Sequence, residues 1–462
     1  MPRTFVSWAL AIVAAAIFLG LCFLGWRVPN ERDSKQADRA PRTTTTQGKD
    51  RSNTEAVMLP PDITGPEFSA CAVCGSTCEF IHVHVDLEPV SCVEFSETPK
   101  PIPQDLGNRP FTLIKFKLSK PPPTAAEIAI RDAQEWLMHH QQADGGWSFD
   151  HSANNAHAGP ANNPGKLKST TGATGLAMMA LLRSPDMRVR DRKHAEEIQK
   201  GAKYLLKWQE KNLEAKRHPG DLRGEEGDML CQAWATVALC EAYNVSQDKT
   251  LQKLAQDAIT YLESVQQADG GWGRSPGQPG ECLVSAWNIE ALKVGHLANL
   301  KISRRAVQQS ITFFDSIQSD GGARYGSTKP GDGDAACTAA GLLCRMYLGK
   351  KRDDPAIGRG VAWLSQRGPA THDVFYNYHA SHVMLHWGNR EWTLWREKLT
   401  PQILAAQKLT GSYSAEKGSW FVEDERLSDA IGRLGCTALQ SLTIQRQFEP
   451  QPHQWVENSD DF

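Results

Sequence analysis

Apolar residues recur at helical spacing through the last three quarters of the chain. One example is Ala195, Ile198, Ala202, Leu205 and Leu206 on an otherwise charged stretch. Each such stretch ends in an aromatic or aliphatic pair followed by Gln: Trp136-Leu137 before Gln141, Tyr204-Leu205 before Gln209, and Tyr261-Leu262 before Gln266. The series continues with Phe313-Phe314 before Gln318, Trp363-Leu364 before Gln366, and Ile403-Leu404 before Gln407. A Gly-rich loop then leads into a second helix, apolar on most sides, and these second helices align on Ala173, Ala233, Ala286, Ala339, Ala380 and Ala438. The phrase Gln-Gln-Ala-Asp-Gly-Gly-Trp occurs identically at Gln141–Trp147 and Gln266–Trp272, with an echo from Gln318 to Ala323. An internal identity of this kind marks tandem structural units.

Six helix–loop–helix units therefore fill residues 125–448. No single hairpin has the apolar surface for a core, so each must stack on its neighbours. Amphipathic first helices suit an outer ring, and the Ala-, Gly- and Cys-rich second helices suit a crowded inner one. The expected fold class is all-α, an (α/α)6 toroid whose inner helices start around a central cavity. The Gln, Gly and Trp residues of the loops read as joints, with the Gln amide tying orphan backbone groups.

The pattern Lys200-Gly201-x-x-Tyr204-Leu205…Gln209, its counterpart Arg359-Gly360-x-x-Trp363-Leu364…Gln366, and the two Gln…Gly-Gly-Trp loops resemble the QW motif. That motif marks squalene–hopene cyclases and the prenyltransferase/squalene oxidase repeat family. The resemblance covers the repeat region and implies the toroid fold. The stretch from Asp373 to Trp395, with Gly418-Ser419-Trp420, looks most like uncharacterised bacterial single-toroid members.

The front of the chain has a different texture. Phe5 to Trp26 is uncharged and mostly apolar, about 33 Å as a helix and long enough to cross a bilayer. Residues 1–27 are thus expected to be an uncleaved single-pass anchor in the cell membrane. Arg27, Arg32, Lys35, Arg39 and Arg42 after the span favour a cytoplasmic toroid, whereas the cysteines beyond favour the other side, so the side stays open. Residues 28–66 read as a disordered tether. Residues 67–120 alternate in strand fashion, as in Ile81, Val83, Val85 and Leu87, and form a small Cys-rich β element. Residues 449–462 are a C-terminal tail.

Of eleven cysteines, Cys71, Cys74, Cys78 and Cys92 cluster in that element near His82 and His84. Two disulfides, a zinc site and free thiols are the competing readings. Cys231, Cys337 and Cys436 share a repeat column and read as small buried hydrophobes. With 40% hydrophobic residues and a net charge of −2 over 462 residues, the chain supports a large core and is no nucleic-acid binder.

Candidate chemistry lies at the inner-helix starts. Asp228, Glu281 and Asp334 occupy one column, either as helix caps or as ligand-binding acids converging at the cavity mouth. Asp332-Gly333-Asp334-Ala335 resembles the Asp-x-Asp-Asp acid of the cyclases, which implies Asp334 as a catalytic proton donor, although Ala335 replaces the last Asp. The prenyltransferase comparison implies zinc on Asp334, Cys337 and His379, with one residue too many between the first two. His379, His382 and His386 lie on one helix stripe in the fifth repeat, preceded by Tyr376 and Tyr378, while Trp234 and Trp287 share the column after the aligned Ala. Together these residues suggest a binding wall for an isoprenoid-like lipid, with terpene cyclase-like or prenyltransferase-like chemistry if the site is active. The competing expectation is a non-catalytic scaffold for a protein or glycan partner.

Overall fold

The computed structural model describes residues 123–152, 161–185, 194–409, 415–423 and 427–449. The anchor, the tether, the cysteines at 71, 74, 78 and 92, and the tail beyond 449 lie outside the described residues. Among the described residues no helix is long and apolar enough to cross a membrane.

Twelve α-helices occur among the described residues, and they alternate between two rings. The outer helices are α1 (Ala125–His139), α3 (Ala195–Glu214), α5 (Lys249–Ser264), α7 (Arg304–Ile317), α9 (Pro355–Arg367) and α11 (Asn389–Ala406). The inner helices are α2 (Thr170–Leu182), α4 (Met229–Ser246), α6 (Cys282–Leu297), α8 (Ala335–Tyr347), α10 (Val374–Trp387) and α12 (Ser428–Gln445). Each inner helix packs on the next, and α12 packs back on α2, so the ring closes. Burial follows this division. Outer α5 hides one stripe, including Leu254, Ala258 and Leu262, whereas inner α2 is buried at every position from Thr171 to Leu182. The aligned alanines are all buried in the inner ring.

Local chemistry starts and stops the helices. A capping box opens α1: the Thr124 hydroxyl accepts from Glu127 N at 3.2 Å, and the Glu127 carboxylate accepts from Thr124 N at 2.7 Å. Asp248, Ser303 and Asp354 cap α5, α7 and α9 in the same sense.

The joints are more specific than the sequence suggests. Gln266 Nε2 donates to Gly270 O at 2.8 Å within its own loop and to Ala306 O at 3.0 Å in the next outer helix. Gln141 does the same to Gly145 O (2.8 Å) and Glu197 O (2.9 Å). Gln407 donates to Gly418 O and, across the closure, to Ala129 O of α1, both at 2.8 Å. The motif Trp turns inward: Trp272 Nε1 donates to Leu262 O at 2.9 Å, and its backbone N donates to Ser285 Oγ of the partner inner helix at 2.8 Å. Gly270 has φ +88°, and a Cβ there would lie 2.0 Å from Gln309 O, so the joint excludes any side chain.

In the fourth hairpin the joint differs. Two short strands, β1 (Gln318–Ser319) and β2 (Arg324–Tyr325), pair antiparallel. Here Arg359 of α9 replaces the Gln, its Nη2 donating to Asp320 O at 3.0 Å and Gly321 O at 3.3 Å. A strap from the first hairpin reinforces closure, with Lys166 N and Leu167 N donating to Asp429 O and Ala430 O at 2.9 Å.

The two faces of the ring are unequal. The connections entering the inner helices run over 140–169, 215–228, 265–281, 318–334, 368–373 and 407–427, while two returns are as short as residues 247–248 and residue 388. The face around the inner-helix N-termini is therefore the loop-rich one, where function tends to be carried.

Candidate functional site

Inner helices lie shoulder to shoulder, so a side chain pointing inward meets residues from other hairpins. Helices α4 and α10 stand opposite each other in the ring, yet the Trp234 and Phe375 ring centroids are 6.4 Å apart. Trp287 of α6 meets Trp234 at 6.0 Å and Phe375 at 6.5 Å, and stacks on Tyr378 at 4.6 Å. Phe149 from the first loop completes the layer at 6.2 Å from Trp234. Aromatic side chains thus meet across the axis.

Toward the C-terminal ends of the inner helices the axis becomes ionic. Arg183, the C-cap of α2, reaches Glu241 Oε1 with Nε at 2.6 Å, Glu290 Oε1 with Nη2 at 3.0 Å, and the Tyr378 hydroxyl with Nη1 at 2.8 Å. Tyr378 in turn donates to Glu290 Oε1 at 2.7 Å. Arg446, the C-cap of α12, donates to the same hydroxyl at 3.4 Å and pairs with Glu449 at 2.6 Å. Tyr347 of α8 joins through His382 Nδ1 at 3.1 Å, so all six hairpins contribute. Both arginines cap helix C-termini, where a cation complements the dipole.

The field of this layer sets its protonation. Burial works against the charge of Arg183, but Glu241, Tyr378 and Glu290 outweigh it and hold the guanidinium firmly cationic. Burial raises the Glu241 carboxyl, with Arg183 opposing. His382 is pushed well below its ordinary range by burial and then by Arg446 and Arg183. His386 falls to about 4 for the same leading reasons, and burial lowers His379. The histidine stripe is therefore neutral at physiological pH. Because His379 is neutral and its Nδ1 must donate to Phe375 O at 2.8 Å, Nε2 is left as a bare acceptor. That atom, His382 Nε2, Glu241 Oε2, Glu290 Oε2, and the Trp234 and Trp287 indole N–H groups are all buried without a hydrogen-bond partner among the described residues.

Of the residues singled out in the sequence, Trp234, Trp287, His379 and His382 are brought together here. Tyr376 is not: its hydroxyl donates to Gly368 O at 3.0 Å, and its ring packs on Trp395 of the outer ring at 6.0 Å. The acids stay on the loop-rich rim. Asp228 caps α4 through Leu230 N (3.0 Å) and Cys231 N (3.2 Å), and pairs with Arg274 at 3.0 Å. Arg274 Nε also reaches Glu281, which starts α6 without a side-chain cap bond, at 3.6 Å.

Asp334 caps α8 through Cys337 N at 3.0 Å and is exposed. Its neighbour Asp332 accepts from Ser327 N at 2.6 Å and the Thr328 hydroxyl at 2.7 Å. Burial is the largest single influence and raises that carboxyl, but the Thr328 hydroxyl and the backbone N–H groups of Lys329, Ser327 and Thr328 together hold it below its ordinary range. An alkene-protonating acid must be enclosed and kept protonated, so this pair does not supply the proton donor that the resemblance implied. Zinc on Asp334, Cys337 and His379 is likewise not supported. Asp334 bonds the Cys337 backbone, His379 lies in the axial aromatic layer, and no group able to hold a metal exists among the described residues. The described cysteines, Cys231, Cys337 and Cys436 included, are buried.

Sequence reading missed Arg183, Glu241, Glu290 and Arg446. Their signal was charge inside, or directly after, helices that are otherwise apolar all round. A groove of about 650 Å³ also opens at the short-loop end, lined by Leu182, Ile198, Leu206, Val245, Asp248 and Leu251 among others. None of the axial aromatic or ionic residues lines it.

The squalene-hopene cyclase C-terminal domain family matches residues 117–220. The curated squalene hopane cyclase afumA of Aspergillus fumigatus (strain CBS 144.89 / FGSC A1163 / CEA10) is 27% identical over 275 residues, half of this chain. Over these segments the chain is similar to the squalene cyclase-like repeat family. The chain spans about a third of that relative's length, since the match covers 35% of it. The solved structures to which the chain is similar are more distant in sequence. The type II terpene cyclase MstE from Scytonema, in complex with geranylgeranyl dihydroxybenzoate, is 15% identical at TM-score 0.46, covering 70% of this chain and 98% of that one. The GH76A alpha-1,6-mannanase from Salegentibacter sp. HEL1_6 is 10% identical at TM-score 0.49, covering 70% and 100%.

Proposed function

We propose that this protein is a non-catalytic binding toroid of the squalene cyclase-like family, whose loop-rich face is presented to a partner. The observation that carries this reading is the Trp234–Phe375 contact at 6.4 Å across the ring. An isoprenoid chain lying on the axis would have to displace both rings. Below them it would meet Glu290, Glu241 and His382, whose unpaired polar atoms a hydrocarbon cannot satisfy. The exposed capping position of Asp334 supports the same conclusion. An anchor over Phe5–Trp26 would hold the toroid at a membrane surface.

The second reading, an isoprenoid-like lipid bound or transformed in the central cavity, is favoured by the family match over residues 117–220. Two measurements on the full chain separate the readings. Incubation with squalene and with a geranylgeranyl-bearing phenol, followed by gas chromatography and mass spectrometry, should yield no cyclised product. Native mass spectrometry of protein extracted with its own membrane lipids should show no stoichiometric polyisoprenoid. A co-purified polyisoprenoid lost on Trp287→Ala or His382→Ala would overturn the scaffold reading.

A further inference from the structure

Outer helix α9 carries Arg359, Trp363 and Arg367 at i, i+4 and i+8, one stripe on the ring's outside. Strand β2 adds Arg324, whose guanidinium lies 3.7 Å from the Trp363 ring centroid. Arg367 sits 5.7 Å from the same ring and 5.5 Å from Tyr376. Arg359 is committed to the fourth joint through Asp320 O and Gly321 O. The other two guanidiniums have neither an ion pair nor a hydrogen bond among the described residues. Asp373 feels the charge of Arg367, but its carboxylate is spent on Tyr376 N at 2.8 Å as the cap of α10.

We propose that the Arg324–Trp363–Arg367 ladder is a docking site for an acidic polypeptide segment. This names the partner class for the scaffold reading and rests on it. A guanidinium stacked on an indole has its plane fixed, while its N–H edge stays open for bidentate carboxylate contacts. Arg324 and Arg367 come from different elements against one ring. They therefore offer two separate forks to carboxylates spaced along a chain rather than one cradle for a compact dianion. Arg367 also lies in the last turn of α9. The last turn of a helix presents carbonyls rather than N–H groups, so it offers no backbone cradle of the kind that holds a phosphate. Two fixed, unpaired cations on a rigid ring also lose little side-chain entropy on binding.

The test is fluorescence anisotropy of a fluorescein-labelled peptide of alternating Glu and Gly, titrated with the full chain. Saturable binding that weakens with salt is expected, and none to the Gln counterpart. Arg324→Gln/Arg367→Gln should weaken binding about tenfold, and Arg324→Lys/Arg367→Lys, which keeps charge but loses the stacked fork, about threefold. Lys253→Gln, a charge removed from distant α5, should leave affinity unchanged. Circular dichroism melts check that the variants stay folded. Failure of the wild-type chain to bind the peptide would refute the proposal. So would equal losses in the Lys253→Gln and ladder variants, or preferential binding of a sulfated oligosaccharide or of anionic phospholipid vesicles. None of these outcomes bears on the cyclisation assay, so the scaffold reading stands or falls separately.

Discussion

Arg183→Met is the most informative single perturbation of the axial ionic layer. The side chains of Arg183 and Glu290 are 9% and 3% exposed, and the arginine also holds Glu241 and the Tyr378 hydroxyl. Removing it leaves two buried carboxylates without their cation, and Glu290 and Glu241 each already have one unpaired oxygen. Breaking one side of a buried ion pair costs about 3–5 kcal/mol, and that is the expected loss at pH 7. Neutralising the stranded acids should recover most of it: Arg183→Met/Glu241→Gln/Glu290→Gln is expected within about 1–2 kcal/mol of wild type, because an uncharged core avoids the desolvation penalty. The assay is urea unfolding followed by near-ultraviolet circular dichroism, comparing midpoints at unchanged slope. The cost of Arg183→Met should also shrink as pH falls, since Glu241, raised by burial, takes up a proton and ceases to need a cation. A single-variant loss below about 1 kcal/mol, the range of a surface pair, would refute the reasoning. A triple variant less stable than the single one would do the same.

Acid should weaken the toroid through its histidines. His386, His382 and His379 are lowered in the fold, so the unfolded chain binds more protons below pH 6.5. Stability present above that pH is lost as pH falls toward about 4, and His386, which keeps some exposure, contributes at most about 3 kcal/mol. Urea midpoints between neutral and acid pH measure this, and His386→Leu should flatten the profile. Trp234→Ala should cost about 3–5 kcal/mol and open a dry void on the axis that takes up xenon or benzene, detectable by crystallography or by a raised melting temperature. Gln407→Ala strands the Ala129 and Gly418 carbonyls and should cost about 1–3 kcal/mol, read in the same unfolding assay. Asp334→Asn keeps the cap and should change stability by under about 0.5 kcal/mol, whereas Asp334→Ala should lose about 1 kcal/mol.

The hairpins were legible because the same constraint acts six times. Each outer helix needs one apolar stripe and each inner helix needs small residues on nearly every side, so the alanine column marks the inner ring directly. The histidine spacing put His379 and His382 on one stripe of an inner helix. Their environment was not legible, because Tyr347, Glu290 and Arg446 come from three other hairpins and occupy no shared column. The acid column was visible, but a column repeated at helix starts carries the capping requirement of every helix as strongly as any ligand. Tyr376 stands apart from the axial residues because positions two apart on a helix face nearly opposite ways, with Tyr378 inward and Tyr376 toward the outer ring.

The bond from Gln407 to Ala129 joins residues 278 positions apart in sequence. Without the last hairpin, the first five can stack only as an open array whose two ends each lack the neighbour they have in the ring. The final hairpin seals both ends at once, with the strap at Lys166 and Leu167 closing over the start of α12. Ring closure is thus a late, entropically costly event that rewards a complete chain and leaves a truncated one with two sticky ends. The same adjacency makes the toroid a natural subject for circular permutation. A chain cut at an exposed return between hairpins, and joined between the present first and last repeats, would keep every neighbour it has now.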